Sequence, residues 1–461
     1  MHPAQMEALL NTIEIEHVSL RDIRFPTSQT REGSDARSQD PDYSLVYCTL
    51  SASNTAHKGV GIAFSLGRGN ELLLAAGKLL QREVVNLKLS SCWNNFADVW
   101  RRLVGSRDGQ LLWVGVDKAV VHQAGAMLVN AVWDLWAKVA AMPLWKLVTW
   151  LPPEVLARAI PLWDVEDELD EAEVLRLLQR DSSTRADRIA RVERGGIPAY
   201  TTATGWSGFD DSKVLTLLDE AMAKGFTSFK MKVGLGIERD MQRAALIRRR
   251  IGDERELMMD ANSVWSVAEA ISCMQRLAAF RPRWIEEPIH CDDILGHLKV
   301  QQALPGIQVA GGEQTANRVL MKQFLSSGAY TVCQQDAVKC GGLNEWLTSA
   351  LLAAKHGVPM CPHTGGVALC QMGPHLGAID FTVISKSFDG RVTEYVTSLE
   401  EHFLAPPIIK DGAYAAPTAL GWGLDMKDIS LEIYEWPTGS FWRDKQNWFD
   451  KAGREGQAGC K

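Results

Sequence analysis

The sequence lacks a paired-cysteine framework, a long apolar run, an excess of positive charge and the short motifs of the commonest cofactor sites. Its nine cysteines are odd in number and scattered, with no CxxC pair. That excludes a disulfide scaffold or zinc ribbon and suits the reduced thiols of an intracellular, cytoplasmic protein. Cys460 is followed by one residue only, so it forms no prenylation box. Lys plus Arg number 49 against 56 Asp plus Glu, a net charge of −7. Neither nucleic acid nor a membrane surface is expected as a partner. The most apolar stretch, 124–150, contains Asp134, Lys138 and Lys146. A spanning helix needs about 20 nearly uncharged residues, so a buried amphipathic helix is predicted instead. Glu7, Glu14 and Glu16 interrupt the start, and no secretory signal is expected. Gly67-Arg68-Gly69 lacks the third glycine of a dinucleotide site, and no Walker-type GxxxxGK, HExxH or GxSxG segment occurs.

What is present is an ordinary folded composition, 46% hydrophobic and 23% charged in 461 residues, enough for two or three domains. The first part reads as α+β. Strands are predicted at 13–20, 45–51 and 60–65, a long polar loop at 27–43, and helices at 71–81 and 125–138. From Pro198 the pattern becomes strand then helix, repeated. Strands are predicted at 228–233, 256–259, 283–285, 308–310, 331–334 and 358–361. Helices are predicted at 239–251, 267–280, 318–327 and 345–356. Such alternation predicts parallel βαβ units closing toward a barrel. The charge-rich 170–194 segment reads as a solvated helix leading into it. The polar tail carries Trp442 and Trp448.

An ionisable residue stands at the end of nearly every strand of the second part. They are Lys230 and Lys232, Asp260, Glu286, Glu313, Asp336, His363 and Glu394, at intervals of 28, 26, 27, 23, 27 and 31 residues from Lys232 onward. One unit of a β/α barrel needs about that length, so these side chains are expected to converge at its C-terminal mouth. Asp260, Glu286 and Glu313 together would repel one another, and a divalent cation removes the conflict. An all-oxygen set suits Mg²⁺. Lys230 and Lys232 are two apart and so face one side of a strand, where like charges lower each other's pKa and can make a base. Asp336 can hold His363 in one tautomer as an acid on the far side. His122, His290, His297, His356 and His375 lack this phasing and read as surface or packing residues. Gly311-Gly312 and Gly365-Gly366 read as tight loops at the mouth.

These residues resemble the enolase superfamily, in its mandelate-racemase-like branch, and most closely the L-fuconate and fungal L-galactonate dehydratases. The likeness runs from about Ile15 to Met426. It rests on RDIRFPTS at 21–28, GSDA at 33–36, DPDYS at 40–44 and NAVWDLWAK at 130–138, followed by PAYTT at 198–202, FKMKVG at 229–234 and MMDAN at 258–262. Further along come WIEEP at 284–288, DDILGH at 292–297, GGEQ at 311–314 and CPHTGGVALC at 361–370. The resemblance implies an α/β fold: a (β/α)7β-type TIM barrel (156–425) with an N-terminal α+β capping domain (1–155), and a C-terminal tail (426–461) returning to the cap. It implies Mg²⁺ on Asp260, Glu286 and Glu313, Lys232 as base, Lys230 on the substrate carboxylate, and His363 oriented by Asp336 as acid. Gly33, Ser34, Asp35 and Tyr43 of the cap, with Glu313, His363, Thr364, Gly365 and Glu394, would surround the substrate. The implied reaction removes the C2 proton of a six-carbon sugar acid and eliminates its 3-hydroxyl, giving a 2-keto-3-deoxy acid.

The chain departs from the family pattern at Ser263-Val264, at Lys339 and at Pro161-Leu162-Trp163-Asp164, which bears on substrate identity rather than reaction class. Alternatives are a racemase or epimerase on the same site, and a non-catalytic scaffold, which would have lost a ligand or base. A metal-dependent hydrolase would lean on histidine ligands. A small-molecule acid sugar is the expected partner, and the many tryptophans suggest subunit packing in a homo-oligomer.

Overall fold

The computed structural model describes residues 2–105 and 109–443. Trp448 and Cys460 lie outside the described residues. An N-terminal helix, α1 (Pro3–Asn11), leads into an antiparallel sheet of β1 (Ile15–Arg24), β2 (Ser44–Ala52) and β3 (Gly59–Ser65), in that order. Helices α2 (Asn70–Leu80), α3 (Leu89–Leu103), α4 (Ala119–Val139) and α5 (Leu144–Trp150) complete this cap. β3 packs on α4 through Gly59 and Gly61, two apart and so on one face. A Cβ at Gly61 would lie 2.8 Å from Ala131 N, with Met127 O closer still, so only glycine lets strand and helix backbones meet there.

The predicted single amphipathic helix over 124–150 is in fact two helices, divided before Pro143, which has no N–H to continue a ladder. Nor is α4 amphipathic: Ala124–Lys138 is buried on every side, between the sheet and the second domain. Asp134 and Lys138 survive there by pairing at 2.7 Å, as buried charges must. Among the described residues no helix is long and apolar enough to cross a membrane. The tryptophans are also mostly internal. Trp100, Trp133, Trp136, Trp145, Trp284, Trp346 and Trp422 are fully buried within the chain, so their number is no signal of subunit packing. Trp133 stacks on Trp136 at 5.1 Å, and its Nε1 donates to Asn344 Oδ1 at 2.8 Å across the domain contact. Trp133→Ala is expected to cost about 3–5 kcal/mol, read as a fall in denaturation midpoint, with a smaller loss counting against this anchoring role.

The second domain is barrel-like. Parallel strands β4 (Ile197–Thr201), β5 (Ser228–Lys232), β6 (Glu256–Asp260), β7 (Pro282–Glu286), β8 (Gln308–Gly311) and β9 (Val332–Cys333) pair in sequence order, and β10 (Thr393–Tyr395) pairs with β4 from the other side. The strand predicted at 358–361 is reduced to one bridge, Met360 to Cys333. Single bonds from Cys361 N to Cys333 O and from Glu394 N to Pro362 O set this segment between β9 and β10. A short hairpin, Ile409–Lys410 with Ala413–Tyr414, adds antiparallel to the start of β4. Helices follow the strands and are capped by Asp210, Ser266 and Asn317, whose side chains take the first free amides. The 170–194 segment forms two helices, Glu171–Gln179, which buries Val174, Leu177 and Leu178, and Arg185–Gly195, which buries Arg188 and Val192. The barrel interior is floored by Tyr200, Met258, Trp284, Ala310 and Val332 from five strands and by Cys361 from the 358–361 segment. The chain then returns to the cap. Glu435 accepts two bonds from Arg21 at 3.0 Å, and Trp436 N donates to Asp22 O.

Candidate active site

Strand register places the polar residues above that floor. Lys232 is level with Asp260, Asp260 with Glu286, and Glu286 with Ala310. Side chains two apart share a face, so Lys232, Asp260 and Glu286 project inward above Lys230, Met258 and Trp284. Glu313 reaches the same place from just beyond β8. Asp260, Glu286 and Glu313 each offer an oxygen within 4.8 Å of the others, and all three are buried.

Lys230 is 1% exposed and spans three carboxylates: Glu286 at 2.6 Å, Glu394 at 2.9 Å and Asp260 at 3.4 Å. Lys232 Nζ donates to Asp260 Oδ2 at 2.5 Å. Burial opposes both ammonium charges, but the carboxylates outweigh it and hold both lysines above their ordinary range. This corrects the sequence expectation. Lys230 does push Lys232 downward, but the Asp260 charge in register on the next strand pulls harder. Glu286 is pushed up to about 8, first by burial and then by repulsion from Asp260. Asp260 and Glu394 are held below the usual range against the cost of burial, Asp260 by Lys232 and Lys230, Glu394 by Lys230 and His363.

On the opposite side His363 Nδ1 bonds Asp336 Oδ2 at 2.9 Å. Asp336 Oδ1 is itself fixed by the amides of Val338 and Lys339, both at 2.8 Å. His363 Nε2 lies 3.4 Å from Glu313 and 3.9 Å from Glu394. Burial would lower the imidazole pKa, but Glu313, Asp336 and Glu394 raise it to about 10. The Gly365 amide approaches Nε2 at 3.2 Å, a contact that suits a neutral ring. It is longer than the 2.9 Å contact to Asp336, and three surrounding carboxylates decide the protonation state.

A cavity of about 420 Å³ opens between these groups and the cap. Gly33, Asp35, Tyr43, Lys232, Glu313, Asp336, His363, Gly365 and Glu394, all singled out in the sequence, line it. Five expected residues do not form its wall, among them Asp260 and Glu286, which are completely buried. Ser34 is buried, its Oγ accepting from Gly208 N at 2.8 Å and its carbonyl from Ser207 N, so it fastens the cap loop to the second domain. Thr364 is buried behind Glu394, donating its amide to Oε2 and its hydroxyl to the backbone carbonyl. Lys230 lies beneath the cavity among its carboxylates.

Several lining residues escaped the sequence reading, among them Glu287, Arg37, Arg68, Gln123 and Trp206. Glu287 is 2% exposed and its Oε1 has no partner; its signal was the second acid of WIEEP. Thr202, from PAYTT, donates its hydroxyl to Glu394. His122, read as surface or packing, is fully buried and pairs with Glu345 at 2.6 Å. His297 and His375 do pack in the core.

An enolase C-terminal domain-like family model matches residues 213–430. The chain is 42% identical over 432 residues to human mitochondrial enolase superfamily member 1, covering 93% of this chain and 97% of that one. It is 42% identical over 433 residues to an L-galactonate dehydratase of Hypocrea jecorina, covering 93% and 95%. The crystal structure of the human protein superposes with a TM-score of 0.92 at 41% identity, over 94% of this chain and 99% of that one. The L-talarate/galactarate dehydratase of Salmonella typhimurium, crystallised with Mg and L-lyxarohydroxamate, shares the fold at a TM-score of 0.71 and 23% identity, over 93% and 94%.

Proposed function

This chain belongs to the enolase superfamily, and from that premise we propose that it is a Mg²⁺-dependent dehydratase of a six-carbon sugar acid of the L-galactonate or L-fuconate type. The observation that carries this is the lateral register of Lys232, Asp260 and Glu286 on three adjacent strands, with the His363–Asp336 pair facing them. The reading keeps the division at 155/156 and 425/426.

The residues fit the metal. Three buried carboxylates crowd within 4.8 Å, and burial together with repulsion from Asp260 holds Glu286 protonated up to about pH 8. An all-oxygen donor set of this kind suits a hard dication that retains waters. Asp260, Glu286 and Glu313 would hold Mg²⁺, which when bound supplies positive charge beside the substrate carboxylate, where negative charge grows as the C2 proton leaves.

The chain's own groups do the rest. Lys230, fixed by Glu286 and Glu394, presents a positive charge to the substrate carboxylate. Lys232 takes the C2 proton at Nζ, which requires that the pull of Asp260 on its ammonium be reduced. The electron pair released from the C2–H bond becomes the C2–C3 double bond as the C3–O bond breaks. His363, held in the Nδ1–H form by Asp336, delivers the Nε2 proton to the departing hydroxyl, which leaves as water. The enol product tautomerises to a 2-keto-3-deoxy acid. Tyr43, Gly33 and Asp35 close the cavity from the cap and exclude water.

The test is a panel of aldonic acids, including L-galactonate and L-fuconate, with Mg²⁺, reading 2-keto-3-deoxy product with a carbonyl reagent. Mg²⁺-dependent product from at least one is expected, and chelation should abolish it. No product from any aldonic acid would falsify the assignment. Deuterium entering C2 without loss of water would instead identify an epimerase. L-fuconate lacks one hydroxyl of L-galactonate. A cavity that hydrogen-bonds that group should therefore reject L-fuconate by orders of magnitude, whereas an apolar wall would tolerate both.

A further inference from the structure

The turn that carries Asp336 is held from outside its own domain. Asn130, on α4 of the cap, donates Nδ2 to Ala337 O at 2.7 Å and accepts at Oδ1 from Leu343 N at 3.0 Å. Trp100, on α3, donates Nε1 to Gly341 O at 2.5 Å. Glu345 Oε2 accepts from Gly341 N at 2.6 Å and is paired with His122 of α4, also at 2.6 Å. Asn130, His122 and Glu345 are completely buried. Two glycines let the turn lie flush on the helix. A Cβ at Gly341 would sit 2.9 Å from His122 Nε2. One at Gly342, where φ is +80°, would sit 2.7 Å from Val129 Cγ1 and 3.2 Å from Asn130 Oδ1.

We propose that Asn130 is a positioning residue for the His363–Asp336 pair. By tying both ends of the 337–343 turn to α4, it holds the Asp336 carboxylate against the imidazole. The proposal rests on the reading above that His363 is the proton donor. Removing the Asn130 amide leaves Ala337 O and Leu343 N buried without partners, a cost met by letting the turn shift. A displacement of about 1 Å at a reacting group can cost 100-fold in rate. Lys232 is held by Asp260 on β6, with no hydrogen bond or ion pair to this turn among the described residues, so removal of the C2 proton is insulated from Asn130 while protonation of the leaving hydroxyl is not.

The test uses full-length Asn130→Ala. In the wild type, the His363 Nδ1–H held by Asp336 should give a downfield proton NMR signal, identified by its loss in Asp336→Asn. In Asn130→Ala that signal should weaken or vanish. Dehydration should fall about tenfold or more, while deuterium exchange at C2 persists. An unchanged signal, a wild type without the signal, or an equal fall in exchange and dehydration overturns the proposal. If Asn130→Ala does not fold, Trp100→Phe, which deletes one N–H from the same turn, must show the same split to a smaller degree, and its absence there is equally fatal. Should the wild type turn over no acid sugar, the functional reading falls alone, because the NMR comparison still decides whether Asn130 orders the pair.

Discussion

Lys232→Ala is expected to lower kcat/KM by about 10⁴-fold and to stop deuterium entering C2 of the substrate. The ammonium it removes sits 2.5 Å from Asp260 at the mouth of the barrel-like domain, whereas the other lysine of the cavity wall, Lys339, belongs to the Asp336 turn. Lys230 is buried beneath it under three carboxylates, so it cannot substitute. His363→Asn separates the two half-reactions. It should lose dehydration by a similar factor and still exchange the C2 proton, because the acid is needed only when the C3–O bond breaks. Circular dichroism and melting curves distinguish lost chemistry from lost folding. Full turnover by Lys232→Ala would remove the base assignment, and exchange lost in both variants would leave the two sides of the cavity without distinct duties.

Glu286→Gln is expected to lower Mg²⁺-dependent turnover by about 10³-fold while stabilising the metal-free fold near pH 8. Glu286 titrates at about 8 in the folded chain against an ordinary value of 4.5. The stabilisation tied to its bound proton is complete below about pH 4.5 and is lost as pH rises through 8. The metal-free wild type should therefore melt at lower temperature as pH rises from about 5 to 8, by an amount on the order of 2–4 kcal/mol, and Mg²⁺ should reverse the decline by binding only the folded state. Glutamine keeps the shape and removes the charge, so the variant should show a flatter profile and little response to Mg²⁺. Asp260 and Glu394 act in the opposite sense. Their depressed values stabilise the fold at neutral pH, a contribution lost on acidification. Titration of melting temperature with and without Mg²⁺ at several pH values reads all of this, and a wild-type profile indifferent to Mg²⁺ would count against the three carboxylates as its site.

The site was legible because its logic is periodic. A repeating strand–helix unit returns to the same rim every 23–31 residues, so Lys232, Asp260, Glu286, Glu313, Asp336, His363 and Glu394 could be grouped by phase alone. Asp260 and Glu286 stand in lateral register, and Glu313 comes within 4.8 Å of both. What the phase could not supply was the neighbour across the ladder. Lys230 and Lys232 are two apart on one strand, which suggested mutual repulsion, yet Lys232 bonds Asp260, one strand away. Nor does phase distinguish a side chain that faces the cavity from one that braces it. Ser34 and Thr364 lie in the right segments but spend their hydrogen bonds on backbone behind the wall. The helix over 124–150 was misread because apolar content gave no sign of a break, and the deciding feature was the missing N–H of Pro143. The His122–Glu345 pair joins residues 223 apart, and no local pattern marks either partner.

The glycines of β3 carry a consequence for how this molecule can change over evolutionary time. Because Gly59 and Gly61 let the sheet rest directly on the α4 backbone, one methyl group at position 61 would act as a wedge, prising up the helix from which Asn130 reaches across to the second domain. Drift at a site remote from any reacting atom would then surface as an altered balance between proton exchange and water loss. Selection for chemistry would therefore guard a stretch of strand that never meets the substrate.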